Sequence, residues 1–205
     1  MKVDTMPFFP MRPMSSYELT ISCDHIYRPK VDGDRVLIDT FAKQAWNRHG
    51  DPYSKAHKLP WDELEYIRNY VPKTVFRRYI DCEFLCKHMI HKGKIALIDF
   101  PERELTFEES MRKIDDAIAI QLGSLTKLSE NILMLPYFDP LHIHTCVQIQ
   151  YENLRRVARA WMEEFDETTP FYEGMVSVHK DSMYKKTYKP NQPTNLWMKY
   201  RFSTK

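Results

Sequence analysis

Tyr27-Arg28-Pro29-Lys30-Val31-Asp32-Gly33-Asp34-Arg35 is the stretch on which the reading of this chain turns. Pro29 biases Arg28 away from helix, and Gly33 permits a tight turn. Lys30 is therefore expected on a loop that enters the apolar run Val36-Leu37-Ile38, with Arg35 a short distance beyond. A lysine nucleophile must lose its proton, and both desolvation and neighbouring cations favour that. Taken alone, the same residues also describe a solvent-exposed lysine in a charged turn, which is the commoner case. The rest of the chain has to decide.

Two further β-rich runs, Tyr79 to Phe84 and Ile95 to Phe100, follow. Strand alternation puts Asp81 and Glu83 on one face and Cys82, Phe84, Cys86 and His88 on the other. The thiol face belongs in the core. Cys82, Cys86, His88 and His91 make a poor zinc set, because Phe84 lies among them and no second CxxC spacing exists. His142 and His144 share a strand face and read as ordinary polar residues. Near the C-terminus, Trp197, Lys199 and Arg201 share one face, with Met198, Tyr200 and Phe202 opposite. Two cations on one face form a clamp for phosphate or carboxylate. A solvated edge strand is the plainer reading of that pair by itself.

Two helices are expected. Thr106 and Glu109 form a capping box that opens one, which should stop at Gly123. The other runs from about Gln148 to Phe165, with Leu154, Val157, Ala158, Trp161 and Phe165 on its apolar stripe. Strands first, helices between and strands last give a mixed α+β domain, with the first 22 residues wrapping its body.

Composition bounds the answer. The chain has 205 residues, 43% hydrophobic and 13% aromatic, enough for one core-bearing domain, 1–205. A net charge of +2 excludes a strongly basic arm but not a local basic face. From Lys180 to Lys205 seven cations meet only Asp181, a net of +6, with Tyr184, Tyr188 and Trp197 interleaved. That segment suits a surface tracking a nucleic-acid backbone, or else is a merely solvated tail. No window reaches the ~18 apolar residues of a membrane span, so no membrane partner is expected. The N-terminus lacks an apolar signal region and reads as mature sequence. Cys23, Cys82, Cys86 and Cys146 show no disulfide framework, which suggests reduced thiols in the cytoplasm.

In order, Lys30-x-Asp-Gly-x-Arg35, Asn47-Arg48-His49-Gly50, Asp81-x-Glu83, Ile98-Asp99, Glu173-Gly174, Asp181-Ser182-x-Tyr184 and Trp197-x-Lys199-x-Arg201 resemble the covalent nucleotidyltransferase superfamily. Its members are ATP-dependent DNA ligases, RNA ligases and mRNA-capping guanylyltransferases. The resemblance runs from Tyr27 to Arg201, and Gly33, Gly50 and Gly174 fall inside it. It implies a nucleotidyltransferase (adenylation) fold, with antiparallel sheets flanked by helices around a central nucleotide cleft.

The resemblance implies roles residue by residue. Lys30 is the nucleophile that attacks the α-phosphate of ATP and becomes a lysine–AMP phosphoramide. Arg35 and Arg48 contact the ribose or nucleic-acid phosphates, Glu83 holds the ribose hydroxyl, and Glu173 lies close to the catalytic Mg²⁺. Lys199 and Arg201 grip the α-phosphate. Ile98 stands where many relatives stack an aromatic on adenine, Arg28 where an acid is common in DNA ligases, and Val178 where lysine is frequent. Four residues after Arg201 leave no room for the C-terminal OB-fold domain, so a partner subunit would have to supply its functions. The 29 residues before Lys30 favour ATP over NAD. The implied function is a minimal ATP-dependent DNA ligase of viral or phage type, in the cytoplasm (the host's, if viral), sealing nicked duplex. The alternatives are an RNA ligase, a capping guanylyltransferase, or a relative that binds nucleotide or nucleic acid without catalysis.

Overall fold

The computed structural model describes residues 5–16, 18–118, 126–141, 147–187, 189 and 192–202. In chain order the elements are β1 (Arg12–Ser16), β2 (His25–Val31), β3 (Asp34–Asp39), β4 (Gln44–Asn47), α1 (Trp61–Tyr70), β5 (Tyr79–Phe84), β6 (Ile95–Asp99), α2 (Phe107–Ile118), β7 (Thr126–Lys127), β8 (Ile132–Met134), α3 (Val147–Phe165), β9 (Tyr172–His179) and β10 (Pro193–Arg201). They build two sheets, β1-β10-β9-β2 and β4-β3-β5-β6-β8-β7. Mixed α and β is thus as expected, but the sheets are not purely antiparallel. β1 runs parallel to β10, and β6 to β8. A parallel neighbour requires a crossover, and α2 lies in the one between β6 and β8.

Lys30 is not on a loop. It lies inside β2, paired opposite Gly174 of β9. Pro29 misled the reading: β2 is an edge strand, where a missing N–H breaks no central ladder. Among the described residues the outer side of β2 takes a single isolated bridge, between Tyr27 and Phe138.

The capping box forms as expected. Thr106 N–H donates to Glu109 Oε2 at 2.9 Å, and Glu109 N–H to Thr106 Oγ1 at 3.3 Å. The expected stop at Gly123 lies outside the described residues, as do His142, His144 and Cys146. On α3 the buried stripe differs from the expected one. Val147 and Ala158 are buried and Tyr151, Leu154 and Trp161 pack beside them, while Val157 and Phe165 are exposed. The 147, 151, 154, 158, 161 spacing follows one face, from which Val157 is rotated away; Phe165 continues the spacing but is the last residue of the helix. Trp161 stacks on Tyr172 with ring centres 5.4 Å apart, seating α3 on β9.

α1 is a helix beyond the two expected from sequence. Its Tyr66 and Tyr70 rings are exposed, whereas Leu64 and Ile67, three apart, join the main core. Phe107, Met111 and Ile114 of α2 enter the same core beneath the six-stranded sheet. Among the described residues no helix is long and apolar enough to cross a membrane.

Candidate active site

Between the two sheets lies a cavity of about 160 Å³. The four-stranded sheet lines it with Arg12, Arg28, Lys30, Val176, Val178, Trp197, Lys199 and Arg201. The other sheet and its loops contribute Arg35, Arg48, Glu83, Ile98 and Leu135. Seven of the eight residues singled out from sequence therefore face one space: Lys30, Arg35, Arg48, Glu83, Ile98, Lys199 and Arg201. Glu173, the eighth, accepts a hydrogen bond from Lys30 Nζ at the cavity's edge, and Arg201 approaches the same carboxylate oxygen at 3.7 Å.

Strand register explains the convergence. Gly174 pairs with Lys30 on one side and Arg201 on the other, so β2, β9 and β10 present their functional side chains on one rung. Parity on β10 then adds Lys199 and Trp197, two and four residues back. Burial pulls the Lys199 ammonium below its ordinary range, with Arg201, Arg12 and Lys30 adding repulsion and Glu173 opposing.

The opposite wall is stiffened by a buried network. Arg35 grips Asp81 through both ends of its fork, at 3.0 and 2.6 Å, and Tyr184 O–H donates to Asp81 at 2.8 Å. The Asp81 charge and its hydrogen bonds outweigh burial and hold Arg35 firmly protonated. Asp81 and Glu83 were expected to share one polar space, but they divide the work. Asp81 is fully buried as a structural anchor, while Glu83 reaches the cavity.

Burial pushes the Glu83 carboxyl up to about 7, against the pull of Lys30 and Arg35. Its folded value exceeds the ordinary 4.5, so the native state binds the extra proton between those limits. Stability should then fall as pH rises from about 4.5 to 7, by up to ~1.4 kcal/mol per pH unit. Glu83→Gln should flatten that slope in urea melts at pH 5, 6 and 7. An unchanged slope would place the titration elsewhere.

Beside Ile98, Arg28 is buried and donates to the carbonyls of Leu97, at 2.9 Å, and Ile98. Burial lowers its guanidinium to about 10, with Asp99 and Asp81 resisting. Arg28 Nε and Trp197 Nε1 are buried and find no partner among the described residues. Both side chains line the cavity, so acceptors on a bound molecule would satisfy them.

Other readings change. Lys180 does not reach the cavity; it is buried against Asp139 at 2.8 Å. Tyr184 and Trp197, read as surface aromatics of a basic tail, are buried. Tyr188 and Lys205 lie outside the described residues. Cys82 is a core thiol as expected, but β5 ends at Phe84, so Cys86 and His88 leave the strand face. Cys86 donates to Asp34 Oδ2 at 3.2 Å, and His88 bridges Glu167 at 2.6 Å and Asp32 at 3.2 Å. No cluster of three metal-binding side chains occurs among the described residues. Phe9, Pro10, Arg12 and Pro13 line the same cavity, which no local pattern in the N-terminal segment indicates.

No protein-family model matches the chain, and no curated protein sequence does. Solved structures do match. A Lig E DNA ligase, from work on DNA binding with a minimal scaffold, superposes with a TM-score of 0.54 over 94% of this chain and 68% of its own, at 13% identity. A mycobacterial DNA ligase D complexed with ATP gives 0.53 over 95% and 60%, also at 13% identity. The ligase domain of M. tuberculosis LigD gives 0.50 over 94% and 59%, at 10% identity. The fold is that of a DNA ligase domain. The chain spans about 60% of the two LigD structures and about two thirds of Lig E. At these identities the likeness fixes the DNA ligase fold and leaves the chemistry to the side chains.

Proposed function

We propose that this chain is a lysine nucleotidyltransferase of the ATP-dependent DNA ligase type, acting on nicked DNA. The observation that carries this reading is the single cavity in which Lys30 stands beside Lys199 and Arg201, with Glu173 hydrogen-bonded to its amine. Lys30 Nζ attacks the α-phosphorus of ATP; an N–P bond forms, the P–O bond to the β-phosphate breaks, and pyrophosphate leaves. Glu173 is placed to take the proton Lys30 must shed. Lys199 and Arg201 offset charge building on the α-phosphate. Arg28 Nε and Trp197 Nε1, against the aliphatic wall of Ile98 and Val178, fit the acceptor edges of a base. Glu83 accepts from the ribose. The AMP then passes to the 5′-phosphate at a nick, and the 3′-hydroxyl displaces it.

The donor set also fits Mg²⁺, which typically takes one or two carboxylates plus substrate phosphates. Glu173 would hold it, and when bound it offsets phosphate charge. The test uses ATP or GTP labelled at the α-phosphate, with Mg²⁺. Label from ATP should stay on the denatured chain and come off in mild acid, as an N–P bond does. The labelled protein should then seal nicked DNA in preference to nicked RNA. No label from either nucleotide would refute the reading; label from GTP alone would move it to the guanylyltransferases.

A further inference from the structure

The N-terminal segment is a strap that no motif accounts for. Phe9 forms a bridge with Thr187, its N–H donating to the Thr187 carbonyl at 2.7 Å. Met11 N–H donates to Tyr184 Oη at 3.2 Å, the same hydroxyl that donates to Asp81. Phe8 and Met11 are buried, and Phe8 meets Tyr79 edge-on at 5.2 Å. Gly50, at φ 93°, lies so close that a Cβ there would come within 3.0 Å of the Phe9 ring. The strap is therefore pinned to the turn that carries Arg48. Pro10 and Pro13 flank Arg12 and fix their own φ, so the arginine is offered from a stiff backbone. The β1–β10 register slips between Pro13 and Met14; Arg12 and Pro13 stay paired with Pro193 and Thr194 of β10, and both line the cavity.

Charge shows what such an arginine is for. Around Lys30, the cations Lys30, Lys199 and Arg201 face two acids, Glu173 and Glu83, a surplus of one. A nucleoside triphosphate carries more negative charge than that. Arg35 is gripped by Asp81 through its fork, and Arg12 adds a further cation to the same lining. Arg12 stands electrostatically between Lys199 on one side and Arg48 and Arg35 on the other. Arg12 is half-buried and lines the cavity, where a ligand in the cleft would meet it.

We propose that Arg12 binds the β- and γ-phosphates of the nucleotide and, after transfer, the departing pyrophosphate. The proposal deepens the nucleotidyltransferase reading and rests on it for the identity of the ligand. The strap thus lets this chain supply its own contact to the outer phosphates.

The test compares calorimetric binding of ATP, inorganic pyrophosphate and AMP by wild type, Arg12→Ala and Arg12→Lys. Arg12→Ala should weaken ATP and pyrophosphate about ten- to a hundredfold, the range for a lost charge-assisted contact, and leave AMP within twofold. AMP binding doubles as the check that the variant is folded. Arg12→Lys, a point charge without the fork, should fall between. In parallel, sealing of a nick already carrying 5′-AMP should be unaffected, since that step uses no triphosphate. Equal losses for ATP and AMP, or no loss at all, would overturn the proposal. So would a sealing defect with ATP binding intact, which would put Arg12 on nucleic acid instead. If wild type takes no covalent label yet Arg12→Ala selectively loses ATP and pyrophosphate, the lysine chemistry fails and the phosphate site stands. A wild type that binds none of the three refutes both.

Discussion

Lys30→Ala should lower covalent labelling from α-labelled ATP by more than about a thousandfold, because it removes the amine assigned to the attack; label that survives would point to Lys199, the other lysine lining the cavity. The fold should be little affected. The Lys30 and Glu173 side chains are 21% and 23% exposed, so the carboxylate keeps some contact with solvent. Removing Lys30 does not strand the carboxylate either, since Arg201 already approaches it at 3.7 Å. The informative companion is Lys30→Arg. It keeps the charge and the pairing with Glu173, but a guanidinium stays protonated and is no nucleophile. If Lys30 acted only as a phosphate-binding cation, Lys30→Arg would retain much of the labelling. Loss in both variants, with ATP still bound and the melting curve unmoved, identifies the nucleophile. Label persisting in either places the covalent bond on another residue.

How far the site could be read in advance depended on which kind of information each residue carries. Strand parity reached Trp197, Lys199 and Arg201 because alternation is a local rule, and β10 obeys it over its length. Glu83 was found the same way. The failures around the cavity are non-local. Pro29 reads as a loop residue until the topology makes β2 an edge. Lys180 and Tyr184 look like surface residues until Asp139 and Asp81, 41 and 103 positions earlier, arrive to bury them. The parallel β1–β10 pair joins opposite ends of the chain, which no window of sequence can contain, and with it went any sign of Arg12. The six-stranded sheet was only partly anticipated, because β4, β7 and β8 are too short to show a period.

Gly174→Ala should be the most damaging single-methyl change in the molecule. Gly174 sits at φ 150°, a backbone conformation L side chains rarely adopt. An added Cβ would stand 1.8 Å from the Tyr200 carbonyl oxygen and 2.9 Å from Arg201 Cα. Both obstacles are backbone, so no rotamer change relieves them and β10 itself has to move. Backbone strain and overpacking each cost about 1–3 kcal/mol, which together predict a fall in Tm of roughly 5–15 °C. The chemistry should suffer further. Gly174 is the rung that aligns Lys30 with Arg201, and Phe202 N–H is held to the Glu173 carbonyl at 2.9 Å. Displacing β10 therefore shifts Arg201 and Lys199 relative to the lysine. Gly93→Ala separates this from a general penalty on glycine. Its φ is also positive, 84°, but nothing lies within 4 Å of the new Cβ, so it should cost only ~1–2 kcal/mol and leave labelling intact. Equal melting shifts for the two variants would show that conformation alone, and not the close approach of β9 to β10, makes Gly174 necessary. Unequal shifts with equal labelling would show that the rung tolerates displacement, and the geometric basis assigned to the site would fail.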